Sequence, residues 1–261
     1  MSFTSHGVRV GLRVNKAEAL PRLLEHAPPG WRPSQCVEVD ALFSAWIGQQ
    51  RSTRRRDFHL LYHDGGRISR TLDFGRLLKT FESFVNVTVA NLSSQFLFVH
   101  AGVVGWRDRA IVLPGRSHSG KTRLVAALVK AGATYYSDEY ALVDQQGLIH
   151  PYARPLSVRR EDGEFDRVMP QQLGGAIGFT PLRPALVLAS RYDERATLRM
   201  RVMTSGKSLL ALLDNTVAAR RRPHDALRML KPLAECRSFK VVRGEADLAV
   251  ERILREAEKG V

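Results

Sequence analysis

The stretch "RAIVLPGRSHSGKTRLVAALVKAG", residues 109–132, constrains the fold more than any other part of the chain. An apolar run enters, a glycine-rich turn follows, and the exit has helical spacing, with apolar residues at 124, 125, 128 and 129 before Gly132. The order is strand, tight loop, helix. Gly115, four intervening residues, Gly120, Lys121 and Thr122 fit the pattern G-x-x-x-x-G-K-[ST], in which backbone N–H groups wrap phosphates and the lysine neutralises them. The helix start supplies unpaired donors and a positive dipole end for the same phosphates. Gly115, Arg116, Ser117, His118, Ser119, Gly120, Lys121 and Thr122 are therefore the expected nucleotide-binding residues, with Lys121 on the terminal phosphates and the Thr122 hydroxyl on Mg²⁺. The alternative is a glycine-rich turn with a solvated lysine, and the strand and helix on either side favour the loop. A second Gly-Lys-Ser, in "TSGKS" at 204–208, has Arg201 where the first glycine belongs, so Ser205 reads as a helix cap only.

Asp138 and Glu139 follow "ATYYS", an apolar strand pattern just beyond the loop helix. Phosphoryl transfer to a hydroxyl needs a carboxylate near the γ-phosphate, to orient or deprotonate the acceptor and to help hold Mg²⁺. A strand in this position commonly lies beside the loop strand, which brings the pair close to the phosphates. Without the loop, a solvated acidic turn is the simpler account. Asp144 ends "YALVD" and competes as a metal ligand, but "QQG" after it makes turn initiation more economical. His100, in "LFVHAGVV", is either a core histidine or a group organising phosphates or protons, since its strand is expected to pair with the loop strand.

The remainder of the chain reads as a frame for this region. Residues 7–14, 35–48 and 57–63 have strand patterns, 16–26 has helical spacing, and 74–93 forms a long helix with Asp73 as N-cap. Residues 1–93 are thus a small α+β region without a chemical motif, a candidate for substrate docking. Residues 94–261 form the α/β domain with the loop and a mixed central sheet; 185–203 is strand-like, and 207–220, 224–235 and 245–258 have helical spacing.

Of the 261 residues, 40 are Lys or Arg and 26 Asp or Glu, a net charge of +14 that attracts polyanions or reflects an arginine-rich coding bias with no polyanion partner. Arg51, Arg54, Arg55 and Arg56 form one cluster and Arg220, Arg221 and Arg222 another, either solvated or docking an acidic partner. Aromatic residues do not interleave them, which disfavours nucleic acid. Cys36 and Cys236 are too few and too isolated for a disulfide framework or zinc site. The amino terminus "MSFTSHGVRV" lacks the pattern of a secretory signal, and no apolar run approaches membrane-spanning length, so the expectation is a soluble cytoplasmic protein.

"VHAGVV" with His100, "LPGRSHSGKT" and "GATYYSDEYALVD" together resemble the HPr kinase/phosphorylase-like family, with its phosphoenolpyruvate-carboxykinase type of phosphate loop. The resemblance covers roughly residues 95–150, and is closest to short members such as the kinases that phosphorylate a serine on lasso-peptide precursors. It implies that the loop binds ATP and Mg²⁺, that His100 assists at the reacting phosphate, and that the acidic pair holds metal and supplies the base. Glu139 stands where the family has the second aspartate and the base, and Asp138 is the other candidate. It also implies an arginine on the transferring phosphate, for which Arg154 and Arg159 are candidates. The family's extended glycine-isoleucine signature is missing beyond "GGAIGF", which points to a kinase without the reverse reaction. The expected function is an ATP- and Mg²⁺-dependent kinase acting on a serine of a peptide or protein, with a homo-oligomer as an option. The alternatives are a kinase of a small-molecule or polynucleotide hydroxyl and a non-catalytic nucleotide-binding regulator.

Overall fold

The computed structural model describes residues 1–49, 57–115, 119–159 and 165–259. The chain divides into two compact units, Met1–Gln95 and Phe96–Val261, and each is mixed α/β.

In the first unit, β1 (Ser2–Ser5) and β2 (Val8–Val14) form a hairpin through His6 and Gly7, whose φ values of 49° and 80° suit a two-residue turn. Where the spacing of 16–26 predicts one helix, there is a 3₁₀ turn at Ala17–Ala19 and a short α1 (Leu20–Leu24). The next N–H groups, of His26 and Ala27, bond only three residues back, which tightens the chain into a turn ahead of Pro28 and Pro29. β3 (Arg32–Ser34) pairs with β1. The predicted strand over 35–48 shrinks to β4 (Ala41–Trp46), because Ser34 Oγ takes the N–H of Cys36 and turns the chain after β3. β5 (His59–His63) pairs with a strand that the sequence pattern does not reveal, β6 (Gly66–Thr71). β6 is an exposed edge with no apolar alternation, and Asp64 and Gly65, both at positive φ, return the chain into it. The sheet order is β3-β1-β2-β4-β5-β6, with only the β2–β4 neighbours parallel. α2 (Phe74–Leu92) buries Leu77, Leu78, Phe81, Val85 and Val89. The Asp73 carboxylate caps its start by accepting from Gly75 N at 2.8 Å and Arg76 N at 3.3 Å, as the sequence predicts.

The second unit opens with β7 (Leu97–Trp106) and β8 (Arg109–Pro114), joined by Arg107 and Asp108 at φ 47° and 57°, the two positive φ values that a two-residue hairpin turn requires. After the glycine loop come α3 (Lys121–Lys130), β9 (Thr134–Ser137), β10 (Tyr140–Val143) and β11 (Ile149–His150). β12 (Leu156–Arg159) and β13 (Phe165–Val168) pair only with each other. The strand-like stretch 185–203 resolves into β14 (Arg183–Tyr192) and β15 (Arg199–Val202), followed by α4 (Ser205–Leu213), α5 (Pro223–Glu235), β16 (Arg237–Arg243) and α6 (Asp247–Glu258). The cap of α4 is Thr204, whose hydroxyl accepts from Lys207 N, and not Ser205, which is already helical. α4 also stops well short of 220: Asn215 and Thr216 turn their side chains back on the carbonyls of Ala211 and Leu212.

The large sheet runs β11-β10-β7-β8-β14-β16-β15, with β9 also on β7; β8, β14 and β16 are mutually parallel and the other pairings antiparallel. Strand period sorts its side chains between two layers. Ile111 and Leu113 of β8 and Leu186 and Leu188 of β14 pack with Leu124, Val125 and Leu128 of α3 and Ile253 of α6. Ala110 and Val112, with Val187, face Leu212 of α4 and Met229, Leu230 and Leu233 of α5. Among the described residues no helix is long and apolar enough to cross a membrane.

Candidate functional site

Three parallel strands, β8, β14 and β16, end along one edge of the sheet, the position where open α/β sheets place ligands. The glycine loop leaves β8 there. Arg116, Ser117 and His118 lie outside the described residues; the rest of the loop is in place. Gly120 is the N-cap of α3 at φ 81°, a left-handed conformation that favours glycine, and it carries no side chain to cap the helix. The first intrahelical N–H bond is from Leu124 to the Gly120 carbonyl, so the preceding N–H groups lie at an open helix start suited to an anion. Among the described residues Ser119 Oγ is buried without a partner, and a Cβ on Gly115 would lie 2.9 Å from it, so a larger residue at the loop entry would have to turn this hydroxyl aside.

Lys121 turns its ammonium onto the carbonyl of Gly115, closing the loop on itself. Burial lowers its pKa, while Asp138 and Glu139 raise it. Gly115 N in turn donates to the His100 carbonyl at 3.1 Å, which ties the loop entry to β7. The acidic pair is not beside the loop strand, as the sequence suggests: β9 and β10 both pair with β7, one strand further away. The turn between them still delivers the pair. Thr122 Oγ1 lies 3.3 Å from Asp138 Oδ2, and the Tyr135 hydroxyl lies 3.3 Å from Asp138 Oδ1 and 2.8 Å from the Arg154 carbonyl. Burial raises the Asp138 pKa, against hydrogen bonds from Ser157, Tyr135 and Thr122.

Glu139 forms an ion pair with Arg154. Burial and the neighbouring Asp138 push the Glu139 carboxyl up to about 7, whereas Arg167 and Lys121 pull it down. The Arg154 guanidinium, on the same carboxylate, acts in that downward sense too. Arg154 is itself lowered to about 10 by burial and by Arg167. His100 lies with its ring tilted against Tyr140, centroids 4.6 Å apart, and bonds the Glu139 backbone; burial and Lys121 lower its pKa, which disfavours the charged imidazolium. His100, Lys121, Thr122, Asp138 and Glu139 thus converge on one place.

Other sequence candidates lie elsewhere. Asp144 initiates a turn, its Oδ1 accepting from Gln146 N and Leu148 N at 2.9 Å, and its second oxygen meets His150 at 2.8 Å. Arg51, Arg54, Arg55 and Arg56 lie outside the described residues. Arg222 precedes α5, where a cation opposes the helix dipole instead of suiting it, and Asp225 compensates through an ion pair at 2.9 Å. The Cys236 thiol is pushed up to about 12 by burial, which disfavours its nucleophilic thiolate.

Two residues escape the sequence reading. Tyr135 carries no motif. Arg243 ends β16, fully buried, and donates to the Gly120 carbonyl at 2.6 Å and the Gly244 carbonyl at 2.9 Å; its Nε has no partner among the described residues. A signal for it exists in "SFKVVRG": Arg243 keeps the phase of Phe239 and Val241, and an arginine in the core phase of a strand needs a buried acceptor.

No protein-family model matches the chain, and no curated protein matches it either.

Proposed function

We propose that the protein is a kinase that uses ATP and Mg²⁺ to phosphorylate a serine hydroxyl of a peptide or protein, as the HPr kinase/phosphorylase-like resemblance implies. The observation that carries this reading is the conjunction of Thr122 Oγ1 and Asp138 Oδ2, 3.3 Å apart at the first turn of α3, with a second carboxylate one residue on. A hydroxyl and a carboxylate at this position fit Mg²⁺, which takes one or two carboxylates plus substrate phosphates instead of an all-protein cage. The open helix start and the buried Ser119 hydroxyl, without a partner among the described residues and close against Gly115, fit the phosphates of a nucleotide.

ATP would supply the phosphoryl group, and Mg²⁺ would neutralise charge on it. Lys121 neutralises the terminal phosphate after leaving the Gly115 carbonyl. Glu139 accepts the serine proton, with Asp138 as the other candidate, and a carboxyl pushed toward neutrality is a competent base near pH 7. Arg154 holds that carboxylate in the folded chain and, once exchanged for a phosphate oxygen, stabilises charge on the transferring group.

The test is incubation of the protein with γ-labelled ATP, Mg²⁺ and a panel of serine-containing peptides, alongside Lys121→Ala and Glu139→Gln. Label in a peptide, lost in both variants, is the expected result. ATP binding without transfer to any peptide would instead favour a nucleotide-binding regulator, which the Arg154–Glu139 pair would explain as a blocked base, or an acceptor of another class.

A further inference from the structure

β14, β16 and β15 lie side by side at one end of the large sheet, and their register aligns Ala189, Lys240 and Arg201 across it, then Arg191, Val242 and Arg199. These side chains point to the layer of α4 and α5, since Val187 and Ser238 in the same phase are covered by it: Val187 packs with Leu212, and Ser238 Oγ meets Ser208 Oγ at 2.8 Å. The helices stop there. Beyond them is an open groove of about 500 Å³, lined by Arg191, Arg195, Arg199, Arg201 and Lys240, with Asp193 as its acidic member. Asp193 pairs loosely with Arg191 at 3.7 Å, and no carboxylate among the described residues pairs with Arg199, Arg201 or Lys240.

Cations on an edge strand ordinarily protect that edge from pairing with another chain. This accounts for Arg199 and Arg201 on β15, but not for Lys240, which has Ala189 of β14 on one side and Arg201 of β15 on the other, with Arg191 on β14 beside it. The residues next to the groove face the other way, onto the loop. A Cβ on Gly120 would lie 3.2 Å from Tyr192 Cβ and 2.9 Å from Arg243 Nη2, and these residues adjoin Arg191 and Val242. The groove and the loop therefore occupy opposite faces of the same strand ends, within reach of one extended segment passing round the edge.

We infer that this groove docks an acidic stretch of the peptide that the kinase modifies, leaving its serine free to reach Glu139. The inference rests on the kinase reading for the identity of the peptide as substrate. A carboxylate-rich segment complements the surplus of positive charge. A single-stranded nucleic acid fits less well, because no aromatic side chain lines the groove to stack bases.

The test is fluorescence anisotropy of a short fluorescein-labelled oligoglutamate peptide with the full chain, without nucleotide, over a range of salt. Saturable binding that weakens with salt is expected. Arg199→Glu/Arg201→Glu should weaken it roughly tenfold or more, and Arg199→Gln/Arg201→Gln less, because the second removes charge without adding repulsion. Arg228→Glu/Lys231→Glu on α5 makes the same change in net charge and should leave affinity within about twofold. Equal losses in both Glu pairs would mean attraction by net charge alone and would overturn the inference, as would an absence of saturable binding. Tighter binding of a single-stranded RNA of equal length, lost in the same groove variants, would overturn it in favour of a polynucleotide. Because docking is read without ATP and on a peptide that has no serine, it is independent of transfer: a chain that binds the oligoglutamate but labels none of the serine-containing peptides fails the kinase reading and leaves the groove standing.

Discussion

Arg243 Nη2 donates to the carbonyl oxygen of Gly120 at 2.6 Å, a contact between residues 123 apart in sequence that anchors the glycine loop to the far parallel strand. Burial lowers the arginine pKa, and its two carbonyl acceptors hold it in place without a carboxylate bonded to it. Arg243→Met should remove the charge-assisted bonds to the Gly120 and Gly244 carbonyls, leaving Gly120 O with the Leu124 N–H alone and costing about 1.5–3 kcal/mol in the unit that carries the loop. Arg243→Lys should recover only part of this, because an ammonium cannot span both carbonyls as the planar fork does. Denaturant unfolding of the three proteins checks the order, and labelled-ATP affinity should fall in the same order.

The two Gly-Lys dipeptides make opposite predictions for the same substitution. Gly120 has φ 81° and would put its Cβ 2.9 Å from Arg243 Nη2, whereas Gly206 lies inside α4 with nothing within 4 Å of an added Cβ. Gly120→Ala should cost about 1–2 kcal/mol in backbone strain before any displacement of the arginine, and should abolish ATP binding. Gly206→Ala should stabilise the protein by about 0.5–1 kcal/mol, since alanine loses less backbone entropy in a helix. Thermal unfolding and nucleotide binding on the pair separate the loop glycine from its look-alike.

The local features were legible where a single segment carries its own physical reason. Asp73 precedes a helix with an apolar stripe, and Gly115 to Thr122 sits between strand and helix patterns. What a segment does only through a partner was not legible. β6 has no apolar alternation because it is an exposed edge, so its strand character depends on β5. The acidic pair reaches Thr122 although its strands flank β7 and not β8, an order that no local pattern encodes. Arg154 was a candidate phosphate contact, yet in the folded chain it meets Glu139, and Arg243 required knowledge of which carbonyl lies opposite β16.

The pH dependence of transfer should report the acidic pair. A carboxylate works as a base only when ionised, and burial raises both Asp138 and Glu139 above their ordinary values, Glu139 to about 7. The rate should therefore fall as pH drops through neutrality, by about tenfold per unit on the acid side, and not first in the usual carboxylate range near 4. Arg154→Met removes a cation that favours the ionised form and should move this limb to higher pH. A profile of kcat/KM against pH for the protein and this variant measures both the position and the direction of the shift.

The 3.3 Å contact between Thr122 Oγ1 and Asp138 Oδ2 makes a prediction about metal that is separable from one about nucleotide. Thr122→Val keeps the shape of the side chain at the first turn of α3 but removes the hydroxyl, and Asp138→Asn keeps the shape of the carboxylate but removes its charge. Both should raise the Mg²⁺ concentration needed for half-maximal transfer by roughly tenfold or more, because each deletes one oxygen ligand or its charge from a site that has few. Thr122→Ser retains the hydroxyl and should behave like the parent. ATP binding measured in the absence of divalent metal depends on the loop backbone and Lys121, so it should change little in Thr122→Val. It should tighten in Asp138→Asn, where a negative charge near the phosphates has been removed. Titrating Mg²⁺ in the transfer assay, with a metal-free nucleotide titration beside it, distinguishes a metal-holding hydroxyl and carboxylate from a hydrogen bond that serves only to pin the start of α3. In the latter case the metal requirement stays the same, and only stability falls.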